Sequence, residues 1–328
     1  MKICSLLPSG TEILFALGLG EQIVGVSDLC HYPPEAGSKH VVSRSKIDSE
    51  VLTSDQVEEL VQRLLSTGES PYDLDNEWIL NNPPDVVLTQ DLCFFCEVDA
   101  SEVHQAIAGM AHQPEVLVLQ PKTVQQIFDT ITRIGEVCSA PANAKRLVHG
   151  LRERVRIISQ GLTQGLKGVD HRPRVFSLEG INPIVVGGHW IPDMMLLAGG
   201  RQDLFPPGSP AVRVKWEEIC EWAPEKLYID LCSSDLARNR REIPWLASQP
   251  GWTEIPAVQK GEVYLLDHVY FSMPGPRIID GLEILAQLTH PELFSGYVRP
   301  NTVLKLDGDA ARACPPGDIG ACFHPFPS

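Results

Sequence analysis

The amino terminus constrains this chain more than any other stretch. Lys2-Ile-Cys-Ser-Leu-Leu-Pro-Ser-Gly-Thr-Glu-Ile-Leu-Phe-Ala-Leu-Gly-Leu-Gly20 reads as a short buried strand (residues 2–7), a tight turn and an immediate helix start. Ser9 and Glu12 have capping-box spacing, in which the hydroxyl accepts from a backbone N–H three residues on and the carboxylate reaches back. Ile13, Leu14 and Leu17 then form an apolar face, and Gly18 and Gly20 supply the stop. A helix that begins directly after a parallel strand aims unpaired N–H groups at the crevice where open α/β sheets bind ligands. The expected fold class is therefore α/β.

The rest of the chain repeats the pattern. Apolar runs at residues 23–27, 85–90 and 116–120 are continuous rather than alternating, as in a parallel sheet covered on both faces. Helical periodicity is expected at 11–17, 54–66, 75–81, 101–110 and 124–138, with Ser54 and Thr123 as helix N-caps. From Pro141 a long amphipathic helix runs to about residue 166 through Leu147, Leu151, Val155, Ile158 and Leu162. A second α/β lobe restarts at residue 174, with strands at 174–179, 226–231 and 262–267 and helices at 191–197, 216–222 and 277–289. The expected organisation is a first lobe over 1–140, a backbone helix over 141–168, a second lobe over 169–300, and a poorly ordered tail over 301–328, rich in proline and weak in periodicity.

Composition narrows the function classes. The chain has 328 residues, enough for two lobes that each bury a core. Its formal charge of −15 argues against nucleic acid or an anionic membrane as main partner. No apolar run is long enough to span a bilayer. No secretory signal or lipid-anchor cysteine precedes the first strand, so the expectation is a cytoplasmic protein as written, or an extracytoplasmic one if the sequence is a mature form. Nine cysteines, an odd count without a framework rhythm, read mostly as small buried hydrophobes.

Five segments fall at carboxyl ends of expected strands: Pro8, Ser9, Gly10, Thr11 and Glu12; Asp28 to Tyr32; Gln90 to Cys96; Glu179 to Trp190; and His268 to Arg277. Three come from one lobe and two from the other, so they can face each other across a cleft. Cys93-Phe-Phe-Cys96 is the sharpest local feature, because two thiols so spaced can hold one zinc or iron ion or form a redox pair. With Cys30 and His189 they make a possible tetrahedral soft site, although no second half-motif exists. Trp190, Tyr32, Tyr270, Phe271 and Met273 supply apolar area suited to a flat macrocycle, and Arg277 can meet a carboxylate, phosphate or amide arm. Enzyme signatures are missing, and Glu179 or Asp91 as a base has no partnered nucleophile.

The opening Pro8–Gly20 stretch, Ile23-Val-Gly-Val-Ser-Asp28 and Tyr32-Pro-Pro-Glu35 together resemble the cobalamin and iron-siderophore class of substrate-binding proteins. More narrowly, Thr89-Gln-Asp-Leu-Cys-Phe-Phe-Cys96 and Gly188-His-Trp-Ile-Pro192 resemble a cobalamin-binding-protein-like subgroup. The resemblance covers roughly residues 2–294. It implies two Rossmann-like lobes joined by one long rigid helix, and a corrinoid or other metal chelate in the cleft with the Trp190 loop facing it. It also implies an ABC transporter as partner, an expectation weakened by the missing export signal. The alternatives are direct zinc or iron binding through Cys93 and Cys96 with Cys30 or His189, and a cytoplasmic enzyme on a former transport scaffold.

Overall fold

The computed structural model describes residues 1–48, 51–91, 100–108, 110, 112–167 and 171–327. The first lobe runs β1 (Ile3–Ser5), α1 (Pro8–Ala16), β2 (Ile23–Ser27), β3 (His40–Ser45), α2 (Ser54–Thr67), β4 (Tyr72–Leu74), α3 (Asn76–Asn81), β5 (Val86–Gln90), α4 (Ala100–Ile107), β6 (Glu115–Leu119) and α5 (Val124–Val137). Its six strands lie in the order β4-β3-β2-β1-β5-β6, and all pairings are parallel except that of the edge strand β4. The fully buried strands β1 and β5 are the continuous apolar runs of the sequence.

The 25-residue α6 (Pro141–Gly165) leads to the second lobe. There β7 (Val175–Gly180), β8 (Val185–Val186), α7 (Ile191–Leu197), α8 (Trp216–Trp222), β9 (Lys226–Ile229), α9 (Leu236–Ala247), α10 (Pro256–Gln259), β10 (Val263–Leu266), α11 (Ile278–Thr289), β11 (Val303–Leu306), α12 (Gly308–Ala313) and β12 (Phe323–Pro325) build a second six-stranded sheet. Its order is β12-β11-β10-β9-β7-β8. Two α/β lobes with a long helix between them are the architecture the sequence implies.

The carboxyl-terminal segment departs from expectation. Instead of a poorly ordered tail, β11 pairs antiparallel with β10, and β12 with β11. Ile319, Cys322 and Phe323 are buried in the second lobe's core, and Arg240 Nε of α9 donates to Gly320 O at 2.7 Å. The segment looked unstructured because its strands are only three or four residues long and separated by proline and glycine. Sheet pairing supplies what periodicity could not show. Helix α9 was also missed, since Pro244 lies inside it.

One apolar core runs through both lobes. Ile13, Leu14 and Leu17 of α1, Ile127 and Ile131 of α5, Leu151 and Ile158 of α6, Met194 of α7, and Ile278, Leu282 and Leu285 of α11 belong to a single contiguous cluster. Polar ties cross the same boundary. Glu12 Oε1 accepts from the Arg277 backbone N–H at 2.8 Å and Oε2 from its Nε at 2.7 Å. Val124 N–H donates to Asp193 Oδ2 at 2.9 Å, and Arg154 of α6 is paired with Asp280 and Glu283 of α11.

Two substitutions test this construction. Phe323→Ala is expected to cost about 3–5 kcal/mol, the range for deleting a buried aromatic ring, measured by denaturant unfolding. A tail without structural role would leave the midpoint unmoved. Arg277→Ala strands the buried Glu12 carboxylate and is expected to destabilise by roughly 3–5 kcal/mol, with a smaller loss in a Glu12→Gln, Arg277→Met double variant.

Candidate functional site

A cleft of about 360 Å³ opens between the lobes at the carboxyl ends of the strands. Pro8 and Ser9 line it from the start of α1, Gln90 from the end of β5, and Ser45, Ile47 and Tyr72 from the β3–β4 side. The opposite wall carries Glu179 and Gly180 at the end of β7, His189 and Trp190 before α7, Cys232 and Ser233 after β9, and Ser272, Met273 and Pro274 before α11. Of the expected site residues, Pro8, Ser9, Gln90, Glu179, His189 and Trp190 meet here.

The others take different places. The capping box of Ser9 and Glu12 does not form. Helix α1 starts earlier, with Pro8 in its first turn and no side-chain cap, and Glu12 is 2 % exposed and bonded to Arg277. Burial raises the Glu12 carboxyl above its ordinary value against the pull of Arg277. Arg277 is thus committed to Glu12, and its guanidinium lies 3.9 Å over the Tyr32 ring. It does not line the cleft, and neither do Tyr32 or Tyr270. Gly275 makes the Glu12 pair possible, since a Cβ there would stand 3.2 Å from the carboxyl carbon. Thr11 is fully buried, with its hydroxyl 2.9 Å from Ser5 Oγ, and a Cβ on Gly10 would crowd that same serine. Asp28 accepts from Ser45 N–H and holds the turn after β3.

Trp190 is not an exposed rim aromatic. It is 7 % exposed, belongs to the interlobe core, and donates from Nε1 to Phe271 O at 2.6 Å. It contributes an edge to the cleft and most of its area to packing. His189 precedes it in a left-handed conformation (φ 55°), its N–H donating to Ser209 O. Gly188 N–H donates to Glu179 Oε1 at 3.2 Å, and a Cβ at Gly188 would strike the Ala211 backbone. Partial burial, aided by the charge of Lys122, holds the His189 imidazole below its ordinary pKa, so it is neutral and lone-pair-bearing at neutral pH.

The expected soft-metal site gains no support. Cys93 and Cys96 lie outside the described residues. Cys30 is buried in the core beneath α1, with Thr11 Oγ1 at 3.1 Å from its sulfur, and takes no part in the cleft wall. Among the described residues no group of three or more histidine, cysteine or acidic side chains is placed to hold a metal ion. Asp91 accepts from Gln120 Nε2 at 3.1 Å and does not reach the cleft either.

Several cleft residues escaped the sequence reading. Arg213 and Arg238 bring positive charge to the second-lobe wall, and Glu58 faces them from α2. Arg238 is 4 % exposed and donates from Nε to Glu242 Oε1 at 2.8 Å. Asp235 caps α9 by accepting from Arg238 N–H, so an N-cap followed by a four-residue Arg–Glu spacing was a usable signal. Below this wall, Ser177 Oγ donates to the buried Asp230 at 2.6 Å, and burial raises that carboxyl far above the usual range.

His268, after β10, is a titration element of the lobe boundary. Burial and the nearby Arg277 charge lower its imidazole to about 4, and its Nδ1 has no hydrogen-bond partner among the described residues. Unfolding restores the ordinary value of 6.5. Between those values the unfolded chain binds the extra proton, so stability falls as the pH is lowered across that window. His268→Gln is expected to flatten this dependence in denaturant titrations at pH 7 and pH 5; an unchanged slope would assign it to other groups.

With the fold and cleft in view, the comparisons with known proteins are informative. An uncharacterized ABC transporter substrate-binding lipoprotein of Bacillus subtilis is 25% identical over 296 residues, covering 89% of this chain and 81% of that one. A vitamin B12-binding protein of Vibrio cholerae is 24% identical over 285 residues, covering 86% of each. Among solved structures, the periplasmic vitamin B12 binding protein of V. cholerae superposes with a TM-score of 0.62 at 22% identity, covering 88% of this chain and 96% of that one. A periplasmic heme binding protein from Pseudomonas aeruginosa gives 0.63 at 20%, covering 89% and 93%. The periplasmic binding protein profile matches residues 3–270, from the first strand to the His268 turn, and the chain belongs to that family of ligand-binding proteins.

Proposed function

We propose that this protein binds a corrinoid or a similar flat metal chelate between its lobes and serves as the substrate-binding component of an ABC transporter. The observation that carries the reading is the convergence of six expected strand-end residues on one mixed polar and apolar cleft. Apolar area from Ile47, Val57, Met273, Pro274 and the Trp190 edge suits the faces of a macrocycle, while Gln90, Glu179, His189 and Ser233 suit its polar arms. Relatives called vitamin B12-binding proteins support the ligand class, and the B. subtilis lipoprotein supports the transporter role.

Heme is the second reading, because heme-binding proteins share the fold and a neutral His189 offers a nitrogen to a metal centre. The purified protein is titrated with cobinamide, cobalamin and hemin and followed by absorbance. Saturation at micromolar concentration or tighter by a corrinoid, weakened at least tenfold by the cleft-filling Ser272→Trp with unfolding midpoint unchanged, is the expected result. Saturation by hemin alone would move the assignment to heme, and binding indifferent to Ser272→Trp would place the ligand outside the cleft.

A further inference from the structure

Helix α2 belongs to the first lobe by sequence but is tied to the second lobe across the cleft. Its apolar side forms a small cluster with Ile47, Val61 and Leu64 at the centre, separate from the core beneath the first sheet. Ser54, Val57 and Glu58 of α2 face the cleft. Glu58 is ion-paired with Arg213 of the opposite wall. Ser54 N–H, at the start of the helix, donates to Glu242 Oε2 at 3.1 Å, and Arg238 Nη2 lies 3.5 Å from Ser54 Oγ. A carboxylate from the other lobe therefore sits where the positive end of the helix favours it. The anchor on that side is firm, since Arg238 and Glu242 are both buried and paired with each other. The α2 side has little apolar packing of its own to lose, as expected of elements that open locally at low cost.

The cleft beneath α2, about 360 Å³, is near the lower end of small-molecule sites. We propose that α2 is a cover over the cleft, latched to the second lobe through Glu58–Arg213 and Ser54–Glu242, and that the latch must part before a ligand is admitted. This rests on the cleft being the ligand site, but the cover itself is tested without ligand. Cys232 is half-buried and lines the same cleft as Ser54, Val57 and Glu58 of α2, whereas Cys4 and Cys138 are buried in the first lobe and the interlobe core.

The test is peptide-resolved alkylation of the native protein with iodoacetamide, read by mass spectrometry at each cysteine. Glu58→Ala and Arg213→Ala remove only a partly exposed pair, of the kind that contributes about 0.2–1 kcal/mol. Each is expected to speed Cys232 alkylation by about 1.4- to fivefold, the same energy read as a rate ratio, with Cys4 and Cys138 unchanged. An unchanged Cys232 rate overturns the proposal. So does a parallel rise at Cys4 and Cys138, which would mean general loosening rather than an opening cover. Stopped-flow mixing with cobinamide adds the functional arm, where faster association in both variants is expected. If corrinoids fail to bind any form while Cys232 still responds, the ligand assignment falls and the cover stands.

Discussion

Glu12 and Arg277 meet across the lobe boundary with almost no water around them, and the site is arranged about that contact. A carboxylate so buried is costly unless it is paired and hydrogen-bonded. Here it receives two bonds from one residue, a stacked Tyr32 backs the guanidinium, and Gly275 leaves the space. The contact joins the second turn of α1 to the N-cap residue of α11. Pro8 and Ser9 on one wall, and Ser272 to Pro274 on the other, are consequently held in fixed relation. Replacing such a pair by apolar residues often costs little, so its value lies in fixing register between the lobes rather than in stability alone.

Around this pair the apolar core continues from α1 and α5 through α6 to α7 and α11. Lobes that share one core cannot separate without exposing it, and each large aliphatic side chain uncovered costs on the order of 1.5–3 kcal/mol. Motion that admits a ligand is therefore cheapest in elements outside the shared core. Helix α2 is such an element, with its own small cluster and polar ties to the far wall.

The fold admits ligands as different as vitamin B12 and heme in its relatives, as their names state. In this chain the strand-end loops of the cleft combine a half-buried neutral imidazole, two arginines engaged by carboxylates and a partly apolar floor. Positive charge at this wall is balanced locally, so the cleft is polar without being strongly cationic. The carboxyl-terminal strands add to the other edge of the second sheet, and the segment Pro316–Cys322 between α12 and β12 meets α9, where Arg240 donates to Gly320 O. Through α9 they support the Arg238–Glu242 wall.

Continuous apolar runs and helix periodicity made both lobes and the long α6 legible, because a buried parallel strand and an amphipathic helix each impose a local pattern that needs no partner to be seen. The strand-end logic likewise located Pro8, Ser9, Gln90, Glu179, His189 and Trp190 on the cleft. What local pattern could not supply was partnership over distance. Glu12 looked like a cap for its own helix, but its partner lies 265 residues away, and an isolated carboxylate does not announce which arginine will share its burial. Trp190 was expected to offer its area to a ligand, because only the tertiary structure brings Phe271 O to its indole. Short strands β11 and β12 carry too few residues to show an alternation, so sheet pairing alone decided that the chain's end is folded. The sequence by itself determined most elements of both lobes and six residues on the cleft. Tertiary structure decided which charged groups join the lobes, because ion pairs are chosen by proximity in space and apolar periodicity is written along the chain.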